Sequence, residues 1–418
     1  MMELIKGNVV EAKRFGEPDI TENGYIAMED GVIAGVFSEP PERYRNAKLT
    51  DYAGKLILQG FCDMHLHGPQ YPMLGMGMDL PLLDWLKTYT FKTEARFADN
   101  DYARRAYRAL AQELVANGTT RVCMFSSLHA DATLILMEEL ENAGISGYVG
   151  KVNMDRDGGE CQESTEGSIS ETLRWLEACG DFRNVRPILT PRFTPSCTDE
   201  LMAWLGRQAE ERGLYVQSHL SENLREIELV KRLHPDCAQY WETYDRFGLW
   251  RDHTIMAHCV HSDEREQDAM IGSNVLCAHC PDSNINICSG FAPVRKMKER
   301  GVWVALGSDI AGGAHLPMMQ VMTGCIRASK ARAIITGGED AFLTVGEAYY
   351  LATSAGARYF GDADGFAAGN RLHAVVLDDS ALPEGARRLT VKERFERAVY
   401  LTHADAIVAV YANGIKIR

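Results

Sequence analysis

The arrangement of apolar runs along the chain constrains its fold more than any other feature. Between residues 56 and 309, short apolar runs of strand length alternate with longer stretches of helical periodicity, such as Tyr102–Asn117 and Asp199–Arg212. This alternation is typical of βα units around a parallel sheet. The strand-like runs number eight, which is the number that closes a (β/α)8 barrel of the TIM type. They are Leu56–Asp63, Thr119–Phe125, Ser146–Val152, Arg186–Thr190, Leu214–Ser218, Thr254–Ala257, Asn274–Ala278 and Val302–Gly307.

The two ends of the chain follow a different pattern. Residues 1–57 alternate apolar and polar positions around turn signals such as Glu29-Asp30-Gly31, which favours short antiparallel strands. Near the other end, Leu372–Leu377 and Ala406–Arg418 are also strand-like. We therefore predict an α/β protein with two domains. A small β-domain combines residues 1–57 with 370–418, and the barrel takes residues 58–369.

The charge and composition of the chain limit its partners and its location. The formal net charge of −14 and the pI of about 5.4, with no dense run of Lys and Arg, argue against a nucleic-acid partner. No apolar stretch approaches the roughly 18 residues of a membrane span, and the first residues lack the apolar core of a signal peptide. We expect a cytoplasmic protein with no membrane partner, whose 11 cysteines are reduced thiols.

Five polar residues are predicted to meet at one end of the barrel. His65 and His67 lie two positions apart, so both imidazoles point to the same face of an extended strand. His219, His258 and Asp309 stand at the ends of the fifth, sixth and eighth predicted strands, and barrel strands end around a common site. Zn²⁺ and related divalent metals accept such nitrogen and oxygen ligands. The pattern therefore predicts a metal-dependent site.

These residues also have structural interpretations. Taken singly, His219 and His258 suit buried core histidines, and Asp309 suits a helix N-cap. Only their convergence favours a metal. Cys277 and Cys280 form a CxxC pair, but a second pair at structural-zinc spacing is missing from the sequence. We therefore assign these cysteines to packing.

Seven segments carry a resemblance to a known family: Gly60–His67, Gly68–Tyr71, Thr190–Phe193, Gln217–Asn223, Met256–Cys259, Ala278–Asn284 and Gly307–Gly313. In chain order they resemble the amidohydrolase superfamily and, within it, most closely the guanine deaminases. The resemblance covers about residues 55–370, and it implies a distorted barrel with one catalytic metal ion and a flanking β-domain built from both termini. That architecture agrees with the strand pattern.

The resemblance implies a role for each site residue. Glu222 would be the proton shuttle, and His258 would hydrogen-bond the activated water or the substrate. Asp309 would also accept a proton from the attacking water. One divalent metal ion would be held by four side chains, with zinc favoured and iron the alternative. These ligands would be His65, His67, His219 and Asp309.

The substrate implied by the resemblance is a purine. Gln70 and Arg192 would hold the ring edges, and Phe193 would pack near them. The implied reaction is hydrolytic deamination of guanine to xanthine and ammonia by a metal-activated water. Deamination of 8-oxoguanine, a pterin or an aminotriazine on the same scaffold is the alternative, and a non-catalytic binding or scaffold protein is a candidate from another class. Similar enzymes are commonly dimers, so a homodimer is expected.

Overall fold

Strands occur both at the ends of the chain and throughout its middle. The computed structural model describes residues 1–383, 387–401 and 403–418. Over these residues the strands are β1 (Met2–Glu11), β2 (Asp19–Glu29), β3 (Val32–Phe37), β4 (Lys48–Gln59), β5 (Phe61–His67), β6 (Thr119–Phe125), β7 (Ser146–Gly150), β8 (Val152–Asn153), β9 (Val185–Pro187), β10 (Thr190–Pro191), β11 (Gln217–Leu220), β12 (Ile255–His258), β13 (Leu276–His279), β14 (Trp303–Leu306), β15 (Ala374–Leu377), β16 (Ile407–Ala412) and β17 (Ile415–Lys416).

Most helices lie between the strands of the middle region. They are α1 (Leu82–Trp85), α2 (Phe91–Ala95), α3 (Asn100–Ala116), α4 (Ala130–Asn142), α5 (Thr165–Ala178), α6 (Asp199–Arg212), α7 (Leu224–Leu233), α8 (Glu242–Asp245), α9 (Glu264–Gly272), α10 (Pro281–Asn286), α11 (Val294–Arg300), α12 (Met318–Ile335), α13 (Val345–Ala352), α14 (Ser354–Ala357) and α15 (Val391–Leu401). Within the described ranges, none of these helices has both the length and the hydropathy needed to cross a bilayer.

Strands from the two ends of the chain share one sheet. Its order is β17-β16-β15-β4-β1-β2-β3, so β15 from the C-terminal region pairs antiparallel with β4 from the N-terminal region. The sheet buries Ile5, Ile26, Ile57 and Val376 on one side, as expected when apolar and polar positions alternate. The flanking β-domain built from both ends is therefore confirmed. The domain boundaries at 57/58 and 369/370 stay a prediction, and β4 itself runs to Gln59.

The middle of the chain forms the parallel barrel that the alternation predicts. Two four-stranded arcs, β5-β6-β7-β9 and β11-β12-β13-β14, make up most of its wall. On one side the short β8–β10 pair and a bridge between Leu189 and Val216 join them. On the other side the Asp309 N–H donates to the His65 carbonyl at 2.8 Å, which closes the wall. Because the wall is made of separate arcs, the barrel is distorted.

Helices on the outside cover the wall. Helix α3 begins at a cap, where the Asp99 carboxylate accepts from the N–H groups of Asp101 and Tyr102. It buries residues at three- and four-residue steps, as an amphipathic helix on a sheet does. Strand β6 is buried along its whole length, which is typical of parallel strands covered on both faces. The buried residues of α3 are Ala103, Tyr107, Leu110, Ala111 and Leu114.

One predicted strand combines parts of two. The run Leu56–Asp63 contains the end of β4, which belongs to the terminal sheet, and the start of β5, which opens the barrel. Gly60 separates them, and a Cβ at that position would lie 2.4 Å from Oγ1 of Thr120. Apolar periodicity continues through the break because both strands are buried there. The start of the first barrel strand predicted at Leu56 is therefore wrong.

Candidate active site

Five of the predicted residues meet inside the barrel at the C-terminal ends of its strands. His65 and His67 lie on β5, and His219 and His258 lie on β11 and β12. Asp309 follows β14 by three positions. Ligand-type atoms of His65, His67 and His219 all lie within 4.8 Å of one another, although the residues come from distant parts of the sequence. The parallel wall brings them together because every strand ends on the same side.

The backbone at this end is held in unusual conformations. His258 has a φ of 72° and Asp309 a φ of 48°, both in the left-handed region that residues with a Cβ seldom adopt. Gly307 precedes this bend, and a Cβ there would lie 2.8 Å from the Cβ of His65. The glycine therefore lets the end of β14 approach β5 closely. Left-handed residues cost about 1–3 kcal/mol each, and such strain is concentrated at functional sites.

The three clustered imidazoles are neutral. Burial lowers the pKa of His65, and it lowers the pKa values of His67 and His219 further below the ordinary value. Nδ1 of His219 lies 2.6 Å from the carbonyl oxygen of Arg192, which can only accept, so Nδ1 carries the hydrogen. Nε2 of His219 then has a free lone pair, and it lies 3.2 Å from Nε2 of His67. Neutral imidazoles with free lone pairs are what a metal ion requires.

The donor set fits a divalent cation. Among the residues that the structure describes, both ring nitrogens of His65 and Nδ1 of His67 are buried without a hydrogen-bond partner. Buried polar atoms are normally paired, so these atoms need an explanation such as an ion. Oδ1 of Asp309 lies 3.2 Å from Nε2 of His65 and 3.5 Å from Nε2 of His67. Burial alone would raise the pKa of Asp309, but the neighbouring histidines, among them His258 with its own raised pKa, outweigh burial and lower it, so the carboxylate is ionised. Three imidazoles and one carboxylate suit zinc.

Glu222 stands beside this cluster without joining it. Its Oε2 lies 3.6 Å from Nε2 of His258, and its Oε1 accepts a hydrogen bond from the Ser289 hydroxyl at 3.0 Å. Burial raises the pKa of Glu222 to about 7. The backbone N–H of Glu222 donates to Glu226, which also completes the capping box of α7 with Asn223. The helix start thus fixes the position of Glu222, and the carboxyl can exchange a proton near neutral pH.

His258 is held from its other side. Its Nδ1 lies 2.8 Å from Oδ1 of Asn284, so Nε2 points between Glu222 and Asp309, at 3.6 and 3.8 Å. Asn284 is 1% exposed and belongs to α10, which begins at Pro281. The ring centroid of His258 is also 5.3 Å from that of His65 and 5.4 Å from that of His219, so His258 lies against the clustered imidazoles as well as between two carboxyl groups.

A cavity connects this cluster to the residues predicted to hold the substrate. Gln70, Arg192 and Phe193 line it together with His67, His219 and Asp309, whereas His65 is not part of its lining. The Phe193 ring centroid is 6.3 Å from that of His219. Further apolar side chains complete the lining. These apolar residues are Leu82, Trp85, Leu86 and Ile287.

Sequence reasoning missed several residues that hold the others in place. Asn284 and Ser289 contact His258 and Glu222 directly, and Glu94 contacts both Gln70 and Arg192. Asn284 lies within a segment that carries the family resemblance, so that segment was the available signal. Nothing in the sequence marks Glu94, because its partners lie 24 and 98 positions away.

Cys280 lies close to the cluster. Its Sγ is within 4.8 Å of ligand-type atoms of His65, His258 and Asp309. Burial raises the pKa of the thiol well above its ordinary value, and Sγ donates to the Ala278 carbonyl at 3.4 Å. A protonated thiol is a poor ligand, which favours the packing interpretation.

The chain is similar in sequence and structure to known proteins. The model of the amidohydrolase family matches residues 56–415, which is most of the sequence. The chain belongs to the amidohydrolase family. This amidohydrolase therefore has the fold of the superfamily that its segments resemble. The predicted family, fold class and hydrolytic enzyme class are confirmed.

Relatives of this amidohydrolase are similar over nearly their whole length. A guanine deaminase of Dictyostelium discoideum is 35% identical, over all of this chain and 98% of its own length. A guanine deaminase of Escherichia coli strain K12 is 33% identical, over 91% of this chain and 89% of its own. The solved guanine deaminase of C. acetobutylicum, with guanine bound in its active site, is 41% identical with a TM-score of 0.97, and the similarity covers both chains completely.

Proposed function

We infer that this amidohydrolase converts guanine and water to xanthine and ammonia. The observation that carries this inference is a single cavity lined both by residues of the proposed hydrolytic cluster and by the hydrogen-bond donors Gln70 and Arg192. Full-length similarity to guanine deaminases, one of them with bound guanine, supports the same substrate. Deamination of 8-oxoguanine, a pterin or an aminotriazine is the less favoured alternative.

The hydrogen-bond donors of Gln70 and Arg192 suit the acceptor atoms of guanine. A guanidinium has five N–H donors and a glutamine amide has two, and guanine presents O6 and N7 as acceptors. Arg192 and Gln70 are 3% and 1% exposed, so a base that left their donors unpaired would bind poorly. We propose that these two residues select guanine by its ring edge, and that Phe193 packs beside it.

We propose that zinc is the metal ion of the site and that His65, His67, His219 and Asp309 hold it. The support is the donor set of neutral imidazoles and one ionised carboxylate. A divalent ion bound there would lower the pKa of a water molecule toward neutrality.

Glu222 is proposed to move the proton. Because its pKa is about 7, the carboxyl exists in both forms at neutral pH and can accept a proton from water and pass it to a ring nitrogen. The water oxygen bonds to C2 of guanine while this proton reaches N3. The second proton of the water, now on the C2 hydroxyl, is relayed by Asp309 to the amino group, so that the C2–N bond breaks, ammonia leaves and the C2 carbonyl of xanthine forms. His258, between Glu222 and Asp309, orients the groups that exchange these protons.

An ultraviolet assay tests the substrate. Zinc-loaded protein is mixed with guanine, and loss of guanine, gain of xanthine and release of ammonia are followed together. We expect turnover of guanine with equal amounts of both products. The same protein is tested with 8-oxoguanine, a pterin and an aminotriazine. No turnover of guanine beside rapid turnover of one of these would refute guanine as the substrate.

The quaternary structure and the ion have separate tests. We propose a homodimer, on the basis of the family resemblance, and light scattering on purified protein measures its mass. A mass of one chain, about 46.5 kDa, would contradict it. Elemental analysis of protein purified without added metal tests zinc, and iron in equal amount to the chain would replace it.

A further inference from the structure

A buried carboxylate that has no place in the chemistry described so far contacts two residues of the pocket lining, Gln70 and Arg192. Glu94 lies on α2 and is 2% exposed. Its Oε2 accepts from one terminal nitrogen of Arg192 at 2.6 Å, and its Oε1 accepts from the other at 3.1 Å. The same Oε1 accepts from Nε2 of Gln70 at 2.8 Å. One side chain therefore holds both polar groups that we assign to the substrate.

These bonds determine which donors remain for a ligand. Oε1 of Gln70 accepts from the Ala311 N–H at 3.1 Å, and Nε2 donates to Glu94, so the amide cannot turn over. One N–H of Gln70 stays free. Two of the five N–H groups of Arg192 bind Glu94, and its guanidinium lies 5.3 Å from the centre of the Phe91 ring. Both side chains are held by partners that a ligand does not displace.

The contact also settles the charge of this end of the pocket. Burial alone would lower the pKa of Arg192, but the Glu94 carboxylate outweighs burial and keeps it above its ordinary value. The guanidinium is thus fully charged, and Glu94 supplies the opposite charge at hydrogen-bond distance. Arg192 consequently offers directed donors without offering a net positive charge. An anion at this end gains little from an arginine whose charge is already matched.

We propose that Glu94 is a positioning and specificity-determining residue that aims Gln70 and Arg192 and makes the pocket prefer a neutral purine over a purine anion. The inference rests on the proposed function. Its consequence concerns the product, because xanthine loses a ring proton more readily than guanine. Matching the charge of Arg192 would keep the xanthine anion from binding tightly, so that the product leaves the site.

The test replaces Glu94 in the zinc-loaded enzyme with glutamine. Glu94→Gln keeps the shape of the side chain but puts an amide N–H against a donor of Arg192 or Gln70, and it leaves the arginine charge unmatched. We expect the KM for guanine to rise at least about tenfold, the effect of one lost charged hydrogen bond. We expect kcat to stay within a factor of about three, because the reacting atoms keep their partners.

Inhibition by xanthine gives a readout that loss of structure would not produce. In Glu94→Gln the inhibition constant of xanthine should fall while the KM for guanine rises, and the fall should be larger on the alkaline side of the xanthine pKa. A merely structural defect would weaken both ligands. Glu94→Asp keeps the charge but shortens the reach, so it should raise the KM for guanine without tightening xanthine.

Glu347 provides a matched control outside the pocket. It also binds both terminal nitrogens of an arginine, Arg295, at 2.7 and 2.5 Å. Glutamine is tolerated at its capping-box position, so Glu347→Gln should change neither constant. Inactivity of the wild-type enzyme on guanine would refute the proposed function. An active wild type with unchanged KM and unchanged xanthine inhibition in Glu94→Gln would overturn this inference alone. If that variant does not fold, an unchanged KM in Glu94→Asp overturns it.

Discussion

The mouth of the barrel and the sheet formed by the chain ends bury very different side chains. The sheet encloses aliphatic residues such as Ile5, Ile57 and Val376, each 0–2% exposed. The mouth encloses ionisable side chains such as Glu94 and Glu222, which are 2–3% exposed. Aliphatic burial stabilises a fold directly, whereas a buried ionisable group is stable only when paired. The sheet therefore stabilises the fold, whereas the ionisable groups of the mouth need buried partners.

Removal of the metal should produce the largest difference between the two regions. We expect dialysis against a chelator to abolish guanine turnover while the terminal sheet stays folded, because the sheet contains none of the proposed ligands. Activity and far-ultraviolet circular dichroism are measured before and after, and zinc is then restored. Full activity in protein that elemental analysis finds metal-free would contradict the assignment of His65, His67, His219 and Asp309.

Replacing the proton shuttle should have the next largest effect. Glu222→Gln is expected to lower kcat by about 10²–10⁴-fold, the usual contribution of general acid–base catalysis. The zinc content should be unchanged, because Glu222 is not a proposed ligand. Steady-state kinetics and elemental analysis check the two statements. Glu228→Gln, an exposed position on α7, is the control, and equal rates in the two variants would remove Glu222 from this role.

A change in the terminal sheet should instead lower the stability of the fold and leave catalysis unchanged. Ile57 is 0% exposed and lies against Gly7 in the neighbouring strand, so truncation leaves a cavity. We expect Ile57→Ala to lower the free energy of unfolding by about 2–5 kcal/mol, with kcat unchanged in the folded fraction. Urea unfolding and steady-state kinetics measure this. The control Ile334→Ala, at an 80% exposed position, should change the free energy of unfolding by less than about 0.5 kcal/mol. A lower kcat in folded Ile57→Ala would show that the terminal sheet also affects catalysis.

The smallest effect concerns pH and a buried carboxyl near the mouth. Burial raises the pKa of Glu266 to about 7, and the Ser262 hydroxyl donates to it at 2.6 Å. A raised pKa means that the folded state prefers the protonated form. Its contribution to stability is therefore complete below the ordinary carboxyl pKa and is lost as pH rises through about 7.

Glu266→Gln should remove this dependence. In metal-free protein, we expect the stability difference between wild type and variant to change by about 1 kcal/mol per pH unit between these two pKa values. Urea unfolding at several pH values gives the slope. Glu264→Gln, an exposed position on the same helix, should leave the wild-type slope intact. A slope for Glu266→Gln equal to that of wild type would show that burial does not raise this pKa.

Regular elements of the barrel could be predicted closely from the sequence. The bounds of β6 and α6 agree with the predicted Thr119–Phe125 and Asp199–Arg212. Periodicity suffices here because each element buries a constant face and ends at a local signal, such as Gly213 with a φ of 62° after α6. It failed at Leu56–Asp63, where the chain passes from one sheet to another without a change in hydropathy.

Short stretches of the sequence were enough to predict βα units and to predict histidines and a carboxylate at strand ends. They were also enough to show the resemblance to one family. Local patterns carry that information because strand direction and side-chain periodicity are properties of short stretches. The contacts of Glu94 with Gln70 and Arg192 are visible only in the tertiary structure. Such contacts join residues far apart in the sequence, and their energies come from burial and pairing, which exist only after the chain has folded.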